Sequence, residues 1–426
     1  MANVLTNIGV NTGVEGSSRC QAPTQGASCR VLILFPTPHL YGMERAVIEI
    51  FDALRPDVEP CFVQGSLIYK AGLPVIEEMR KRGLNISLLP DKDHWPKIGG
   101  PKSIRHFCEM LKAVVMGNLA ILKAAWNKDI LYVPGICYGH LAVLAALWYR
   151  IRHRRVIHHF HDLDTNIPTF PLWIPLVTDF VHNTEFGYEA ISKSLPGIRR
   201  KRNVVIPYIL DVEPRGPEDP DAKRALAGTR NLFFVGQISK HKGVDILLEA
   251  FKTVAESHPD AMLHLVGGCA ENFRSELGEL CSHPTLAGRV KYWGYRNDAL
   301  QLLRSAYVYV HTSPPSRFRE SYGRSVVEAM ALGVPTVCFR SGALQEIVVD
   351  HETGFICEES PAALADAIGK MLDDEVLRNR CGERAADRYR TLYSKGHVRT
   401  RWLQFVLGFP AADQPCAAVT TIPVNR

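Results

Sequence analysis

The stretch ESYGRSVVEAMALGVP, Glu320–Pro335, decides how the rest of the chain is read. It follows an apolar strand and a loop that contains Pro314 and Pro315. Gly323 permits a tight turn or a close approach to a ligand. A helix then runs to Gly333, a natural C-cap, and Pro335 bars its continuation. The backbone N–H groups near Ser321–Ser325, including Tyr322 and Arg324, thus lie at a helix N-terminus, a ready anion site suited to a diphosphate. Glu320 stands just before that helix and Glu328 about a turn and a half into it. Two carboxylates so placed flank a bound diphosphate from opposite sides. Each can accept two hydrogen bonds from vicinal hydroxyls, one carboxylate those of a transferred sugar and the other those of a ribose. The plainer alternative is an ordinary acid ahead of a helix and a glutamate on its solvated face.

Outward from this segment, strand and helix alternate in both directions. Upstream, Asn231–Val235, Ala261–Val266, Arg289–Tyr292 and Tyr307–His311 read as strands, with helices at Asp245–Ser257 and Asp298–Ser305. Downstream come a strand at Pro335–Cys338 and helices at Pro361–Asp373 and Asp374–Tyr389. A stretch rich in Pro, Gly and acids, Asp211–Asp221, interrupts the pattern and marks a domain boundary. Before it the same alternation occurs once already, opening with the apolar run CRVLILFP, residues 29–36. Strands at Pro60–Leu67, Asn85–Leu89, Asp129–Val133, Arg155–Phe160, Phe180–His182 and Val204–Ile206 follow, with a helix capped near Thr184. The fold class is α/β: two tandem doubly wound, Rossmann-like domains, each a parallel sheet covered on both faces. Ligands bind beyond the carboxyl ends of such strands, which places a site in the central cleft between the domains.

The expected organisation is a flexible leader at 1–28, an acceptor-binding domain at 29–210 and a donor-binding domain at 211–392. A C-terminal helix at 393–408 returns to the first domain, and 409–426 forms a flexible tail. The 426 residues are 46% hydrophobic, ordinary for a water-soluble protein. The leader lacks the basic start and apolar run of a signal peptide. No apolar run reaches the 18 residues of a membrane span. The eleven cysteines include no Cys-x-x-Cys pair, which fits free thiols in a reducing cytoplasm. Residues 1–210 carry 24 Lys and Arg against 17 Asp and Glu, while the remainder carries 26 against 27. A basic first half suits an anionic partner, such as a phosphorylated acceptor or a lipid surface, or serves solubility alone. Ile104–Trp126 is most simply a core helix. The alternative is contact with a membrane surface, aided by Lys112, Lys123 and the Arg150–Arg155 cluster.

Glu320 to Glu328 resembles the motif of two glutamates separated by seven residues in retaining GT-B glycosyltransferases, most closely family 4 (group 1). The segments FVGQISKHKGVDILLEAF (Phe234–Phe251), GALQEIV (Gly342–Val348) with Thr353-Gly-Phe, and Gly42-Met-Glu44-Arg45 after the first strand fit the same family. The likeness covers about residues 30–400. It implies a nucleotide-sugar donor in the second domain, an acceptor on the first and retention of anomeric configuration. Glu320 then matches the glutamate that contacts donor-sugar hydroxyls, and Glu328 the one that holds the ribose. Lys242 matches the lysine that neutralises the leaving diphosphate, a charge aimed at charge that grows in the transition state. His161, in HHFHD (His158–Asp162), matches the active-site histidine near the anomeric carbon, and Gly42 the glycine-rich loop that approaches the phosphates. Gly236, Gln237 and Tyr295 complete the expected donor site, Tyr295 near the base.

The chain departs from the family at three places. Gln237 stands where arginine is usual and cannot neutralise a phosphate; Lys240, Arg317 or Arg319 are candidates to compensate. The first loop reads Tyr41-Gly42 where two glycines are common. The interdomain segment reads Pro207-Tyr-Ile-Leu-Asp211 where Pro-Asn-Gly-x-Asp is usual. Asp162-Leu-Asp164 imitates a metal-binding Asp-x-Asp but sits directly after the matched histidine, so the expected chemistry needs no metal and no other cofactor. The expected function is transfer of a sugar from a UDP- or GDP-sugar to a glycan or lipid-linked acceptor in cell-surface polysaccharide synthesis. The expected setting is the cytoplasm, with peripheral contact at the inner membrane and no nucleic-acid partner. The alternatives are a nucleotide-sugar-binding protein that has lost turnover, or another nucleotide-sugar enzyme of this fold such as an epimerase. A dehydrogenase is disfavoured because no Gly-x-Gly-x-x-Gly follows either first strand.

Overall fold

The computed structural model describes residues 28–35, 42–64, 74–84, 86–88, 104–135, 142–165, 170–212, 224 and 226–408. The leader before residue 28, the loop 36–41, most of the 211–221 boundary and the tail after 408 lie outside the described residues.

Two parallel sheets form the chain's framework. The first has strands β1 (Cys29–Phe35), β2 (Val58–Gln64), β3 (Ile86–Leu88), β4 (Ile130–Pro134), β5 (Arg155–His159), β6 (Asp179–His182) and β7 (Arg202–Val205). Their spatial order is β3-β2-β1-β4-β5-β6-β7. Helices α1 (Gly42–Ala53), α2 (Pro74–Lys81), α3 (Ile104–Ala125), α4 (Val143–Ile151) and α5 (Glu185–Ser194) belong to it. The second sheet comprises β8 (Arg230–Val235), β9 (Ala261–Val266), β10 (Val290–Gly294), β11 (Val308–His311), β12 (Thr336–Phe339) and β13 (Gly354–Cys357). Their order is β10-β9-β8-β11-β12-β13. Helices α6 (Val244–Ser257), α7 (Arg324–Ala331), α8 (Pro361–Asp373) and α9 (Glu375–Arg388) accompany it. The expected α/β architecture of two doubly wound domains is present. Several boundaries move by one to three residues, and β13 and the helix Arg274–Cys281 are elements that periodicity alone did not reveal.

In each sheet the strand order reverses between its first strand and the strand on that strand's other side, β1/β4 and β8/β11. These reversal points open the crevices in which such sheets bind ligands. The two domains share packing rather than merely abutting. One apolar cluster runs from Ile33, Phe51 and Tyr132 through Tyr208, Ile209, Leu210 and Trp402 to Phe233, Val266 and Met330. A five-residue π-helical turn, Tyr389–Tyr393, leads from α9 into α10 (Lys395–Leu407), which packs against the first domain. There Trp402 Nε1 donates to the Pro207 carbonyl at 2.9 Å and Arg401 to that of Val205 at 2.6 Å.

Helix α3 is not simply a core helix. Ile121 and Ala125 are buried, but Leu111, Val115, Met116 and Leu119 are exposed, as is Trp126 just beyond its end. Leu144, Leu147 and Ile151 of α4 are exposed as well. Trp126 stacks on Trp148 at 4.8 Å, and the Arg152 guanidinium lies 4.6 Å over the Trp148 ring. Among the described residues no helix is long and apolar enough to cross a membrane. The eight cysteines among them are free thiols.

Candidate active site

The second domain builds its half of the site from three strand ends. After β8 the chain passes Gly236 and the exposed Gln237 into a short 3-10 turn, Lys240–Lys242. Gly243 ends that turn at φ +70°, and a Cβ there would lie 2.0 Å from the Thr312 carbonyl oxygen. Only glycine therefore lets the turn sit against the segment that follows β11. The Thr312 hydroxyl donates to the Lys242 carbonyl at 2.9 Å, which closes the contact. Gly342, at φ +55°, is equally constrained: its Cβ would fall 2.2 Å from the Glu320 carbonyl oxygen. Two glycines thus clamp the backbones that carry Lys242 and Glu320.

Their side chains meet. Lys242 Nζ donates to Glu320 Oε2 at 2.9 Å and lies 4.0 Å over the Phe318 ring. The same oxygen receives His311 Nε2 at 3.1 Å and the Ser313 hydroxyl at 3.0 Å. Burial opposes charge on Glu320, but the His311 hydrogen bond and the Lys242 ammonium outweigh it and hold the carboxyl below the usual carboxylate range. Glu320 is thus an anion with one oxygen already committed. Reading the sequence missed His311, Ser313 and Phe318; their position at the carboxyl end of β11 and just beyond it is the signal that could have found them.

Gly323, at φ +77°, precedes α7, where Arg324 and Glu328 face each other one turn apart. Arg324 Nε donates to Glu328 Oε1 at 2.9 Å, and its Nη2 reaches across the cleft to Glu49 Oε1 of α1 at 2.8 Å. Burial pushes the Glu328 carboxyl up, with Arg324 opposing and Glu49 reinforcing the shift. Tyr295 stands on the rim, 63% exposed, and accepts a hydrogen bond from Arg45 of α1 at 3.1 Å. The helix expected from Glu44 starts two residues earlier, so that Gly42 and Met43 join the first turn of α1, whose Arg45 and Glu49 face the second domain.

The first domain supplies His161 just after β5. Its Nδ1 lies 2.8 Å from the Tyr208 hydroxyl, and its backbone oxygen accepts from the Ser321 hydroxyl at 3.0 Å. Thr184 Oγ1 donates to the Ser321 carbonyl at 3.0 Å. Ser321 therefore pins the Glu320 loop to the first domain beside His161, while Tyr322 is buried with its ring edge-to-face on Tyr208 at 4.7 Å.

The three candidates to compensate for Gln237 each have a partner in the structure. Arg317 Nη1 binds both Asp245 oxygens at 2.8 Å, Lys240 pairs with Glu276 at 2.7 Å, and Arg319 lies over the Phe186 ring at 4.9 Å. Asp162 and Asp164 gain no third ligand: among the described residues no group of His, Cys, Asp or Glu is placed to hold a metal ion.

This arrangement has relatives. Residues 217–388 match the family model "Glycosyl transferases group 1". A phosphatidyl-myo-inositol mannosyltransferase of Mycobacterium tuberculosis is 34% identical over 170 residues, 38% of this chain and 43% of that protein. A D-inositol 3-phosphate glycosyltransferase of Corynebacterium glutamicum is 31% identical over 174 residues, 38% and 40% of the two chains. These matches span about two fifths of each relative's length. Whole-chain likeness comes from structure. The Anabaena protein Alr3699/HepE in complex with UDP superimposes with a TM-score of 0.70 at 18% identity, covering 89% of this chain and 100% of that one. A glycosyltransferase from Rickettsia africae gives 0.74 at 16% identity, covering 90% and 100%. At such identities the structural likeness establishes the fold alone. Residues 217–388, which carry Lys242, Glu320 and Glu328, are thus similar to the group 1 glycosyl transferases, and the chain as a whole has the GT-B fold of two facing doubly wound domains.

Proposed function

We propose that the chain transfers a sugar from a nucleotide diphosphate sugar, UDP- or GDP-linked, to a glycan or lipid-linked acceptor, with retention of configuration and without a metal ion. The observation that carries this reading is the partly buried pair Lys242–Glu320 at 2.9 Å, in the same cleft wall as α7, with the neighbouring Ser321 hydroxyl bonded to the His161 carbonyl. A leaving diphosphate needs positive charge where its own charge grows, and preorganised charge in a water-poor cleft is worth far more than in bulk water. Lys242 and the first-turn N–H groups of α7 supply it. Glu320 binds sugar hydroxyls through the oxygen that Lys242, His311 and Ser313 leave free. Glu328 accepts from the ribose, and the departing phosphate takes the proton of the acceptor hydroxyl on the same face. The UDP named in the Anabaena complex supports a nucleotide diphosphate ligand.

A lipid-linked acceptor fits the first domain's apolar face on α3 and α4. Exposed Lys112, Lys123, Arg150 and Arg152 accompany it, matching an anionic lipid surface. Arg155 is not part of that face: it pairs with Asp179 at 3.1 Å and donates to the Phe405 and Val406 carbonyls. The phosphatidyl-myo-inositol substrate named for the mycobacterial relative points the same way. The protein then works in cell-surface polysaccharide or glycolipid synthesis, in the cytoplasm at the inner face of a membrane.

The test is thermal stabilisation by a panel of UDP-, GDP-, ADP- and TDP-sugars, for wild type and Glu328→Ala, followed by donor hydrolysis. Stabilisation by one nucleotide, lost in the variant and accompanied by hydrolysis, is the expected result. Stabilisation without hydrolysis or transfer favours the second reading, a sugar-nucleotide binder, which rests on Gln237 and on the engagement of Lys240, Arg317 and Arg319 elsewhere.

A further inference from the structure

Behind His161 runs a chain of buried polar side chains from different elements. The Tyr132 hydroxyl meets His159 Nδ1, and His159 Nε2 lies 2.8 Å from Asn183 Oδ1. Asn183 Nδ2 lies 3.0 Å from the Phe160 carbonyl and 2.8 Å from the Tyr208 hydroxyl, which in turn lies 2.8 Å from His161 Nδ1. Proton positions along this chain follow from one fixed point. A backbone carbonyl only accepts, so the Asn183 atom facing Phe160 must be its amide nitrogen. That nitrogen spends its second N–H on the Tyr208 oxygen. Tyr208 has one proton to give, and His161 Nδ1 is the partner the network offers it. His161 Nδ1 therefore accepts, and the proton of the neutral ring sits on Nε2. In the other direction Asn183 Oδ1 must receive an N–H from His159 Nε2, which leaves His159 Nδ1 to accept from Tyr132. Every member of the chain is satisfied in this one direction. At its end His161 Nε2 is buried with no hydrogen-bond partner among the described residues, the one such side-chain atom of the five linked residues.

We propose that Tyr208 and Asn183 are positioning residues that lock His161 as its neutral Nε2–H tautomer, so that His161 offers the cleft a hydrogen-bond donor to a sugar hydroxyl oxygen rather than a base. The assignment of a sugar to that donor rests on the function proposed above; the tautomer does not. Burial, then the neighbouring His159 and His158, hold His161 well below the usual histidine range, so the ring is neutral at working pH. Leaving a buried N–H unpaired is costly, and a ligand oxygen that satisfies it is correspondingly favoured. The Tyr208 ring also packs against Tyr322 of the Glu320 loop, which joins the lock to the second domain.

The experiment is nitrogen NMR of the full chain labelled with 15N-histidine. The His161 signals are assigned by their loss in His161→Gln. Wild type should show His161 neutral with its proton on Nε2. In Tyr208→Phe, Nδ1 loses its donor and the signals should move to a mixture of tautomers. In Asn183→Asp the carboxylate accepts the Tyr208 proton, and the His161 proton should move to Nδ1. Wild-type His161 protonated on Nδ1, or two folded variants that keep the wild-type pattern, would overturn the lock. Should both variants unfold, the wild-type spectrum still decides. A nucleotide sugar that stabilises the protein should shift the Nε2 signal and its nucleoside diphosphate alone should not. Equal shifts with both would remove the sugar from the proposal. If no nucleotide sugar binds, the proposed transfer fails while the tautomer result stands on its own.

Discussion

The two walls of the cleft are held together by opposite means. The first domain positions His161 with neutral groups: His158, His159 and His182 are buried beside it, and Asn183 and Tyr208 link the rings. The second domain positions its residues with charge: Lys242 against Glu320, and Arg324 between Glu328 and Glu49. A neutral network fixes direction without attracting an anion, whereas partly buried ion pairs supply field at the cost of desolvation. The first wall is thus suited to orienting a sugar and the second to bearing a diphosphate.

Acidification should separate the walls most strongly. Burial lowers His158 and His159 to about 3 and His182 to about 4, and it lowers His161 as well. In the second domain His264 is lowered to about 4. A histidine whose folded pKa lies below its unfolded value of ~6.5 binds its proton preferentially in the unfolded chain. Its contribution is full above that value and is lost as pH falls, at about 1.4 kcal/mol per pH unit for each histidine. The depressed Glu320 carboxyl acts in the same direction, but only once pH drops into the unfolded carboxylate range near ~4.3. Between about pH 6.5 and 5, therefore, the first sheet should lose protection against amide exchange several times faster than the second. Equal loss in both sheets would break the comparison.

Next in size is Lys242→Ala, which removes the charge proposed to face the leaving group and leaves Glu320 with His311 and Ser313. Turnover should fall by about 10²–10³-fold, read by donor hydrolysis at saturating donor. The melting temperature should fall too, because a partly buried hydrogen bond between charged groups is lost, at a cost of about 1.5–3 kcal/mol. A fall in stability without a fall in turnover would make the pair structural only. Glu328→Ala should cost nucleotide binding about 1.5–3 kcal/mol, the worth of a hydrogen bond to a charged group, as read by calorimetry. A variant that binds as wild type does would remove the ribose from its role. The smallest effect belongs to Arg45→Ala, which breaks an exposed contact to Tyr295. Stability should change by no more than about 0.5 kcal/mol in thermal melts, and a larger change would show that the rim contact holds the walls together.

Much of this was legible before the structure. Alternating strand and helix periods determined the two-domain α/β fold, because a buried parallel strand and an amphipathic helix each leave a local pattern. The turn at Gly323, the helix stop at Gly333-Val-Pro335 and the acids at Glu320 and Glu328 were local signals of the same kind. Three things were not local. His311 and Ser313 meet Glu320 because β11 ends beside it, and one histidine after an apolar strand announces no such partner. Lys240, Arg317 and Arg319 take Glu276, Asp245 and the Phe186 ring as partners, which no local pattern announces. Ile104–Trp126 read as a core helix because periodicity shows that an apolar stripe exists, not whether anything covers it. By itself the sequence determined the fold, the helix that opens at Gly323 and the residue types at the cleft, since these follow from short-range periodicity and turn chemistry. Tertiary structure alone decided which charges pair, which face of α3 stays bare and on which nitrogen His161 carries its proton, because each depends on groups far apart in the chain that only packing brings within hydrogen-bond distance.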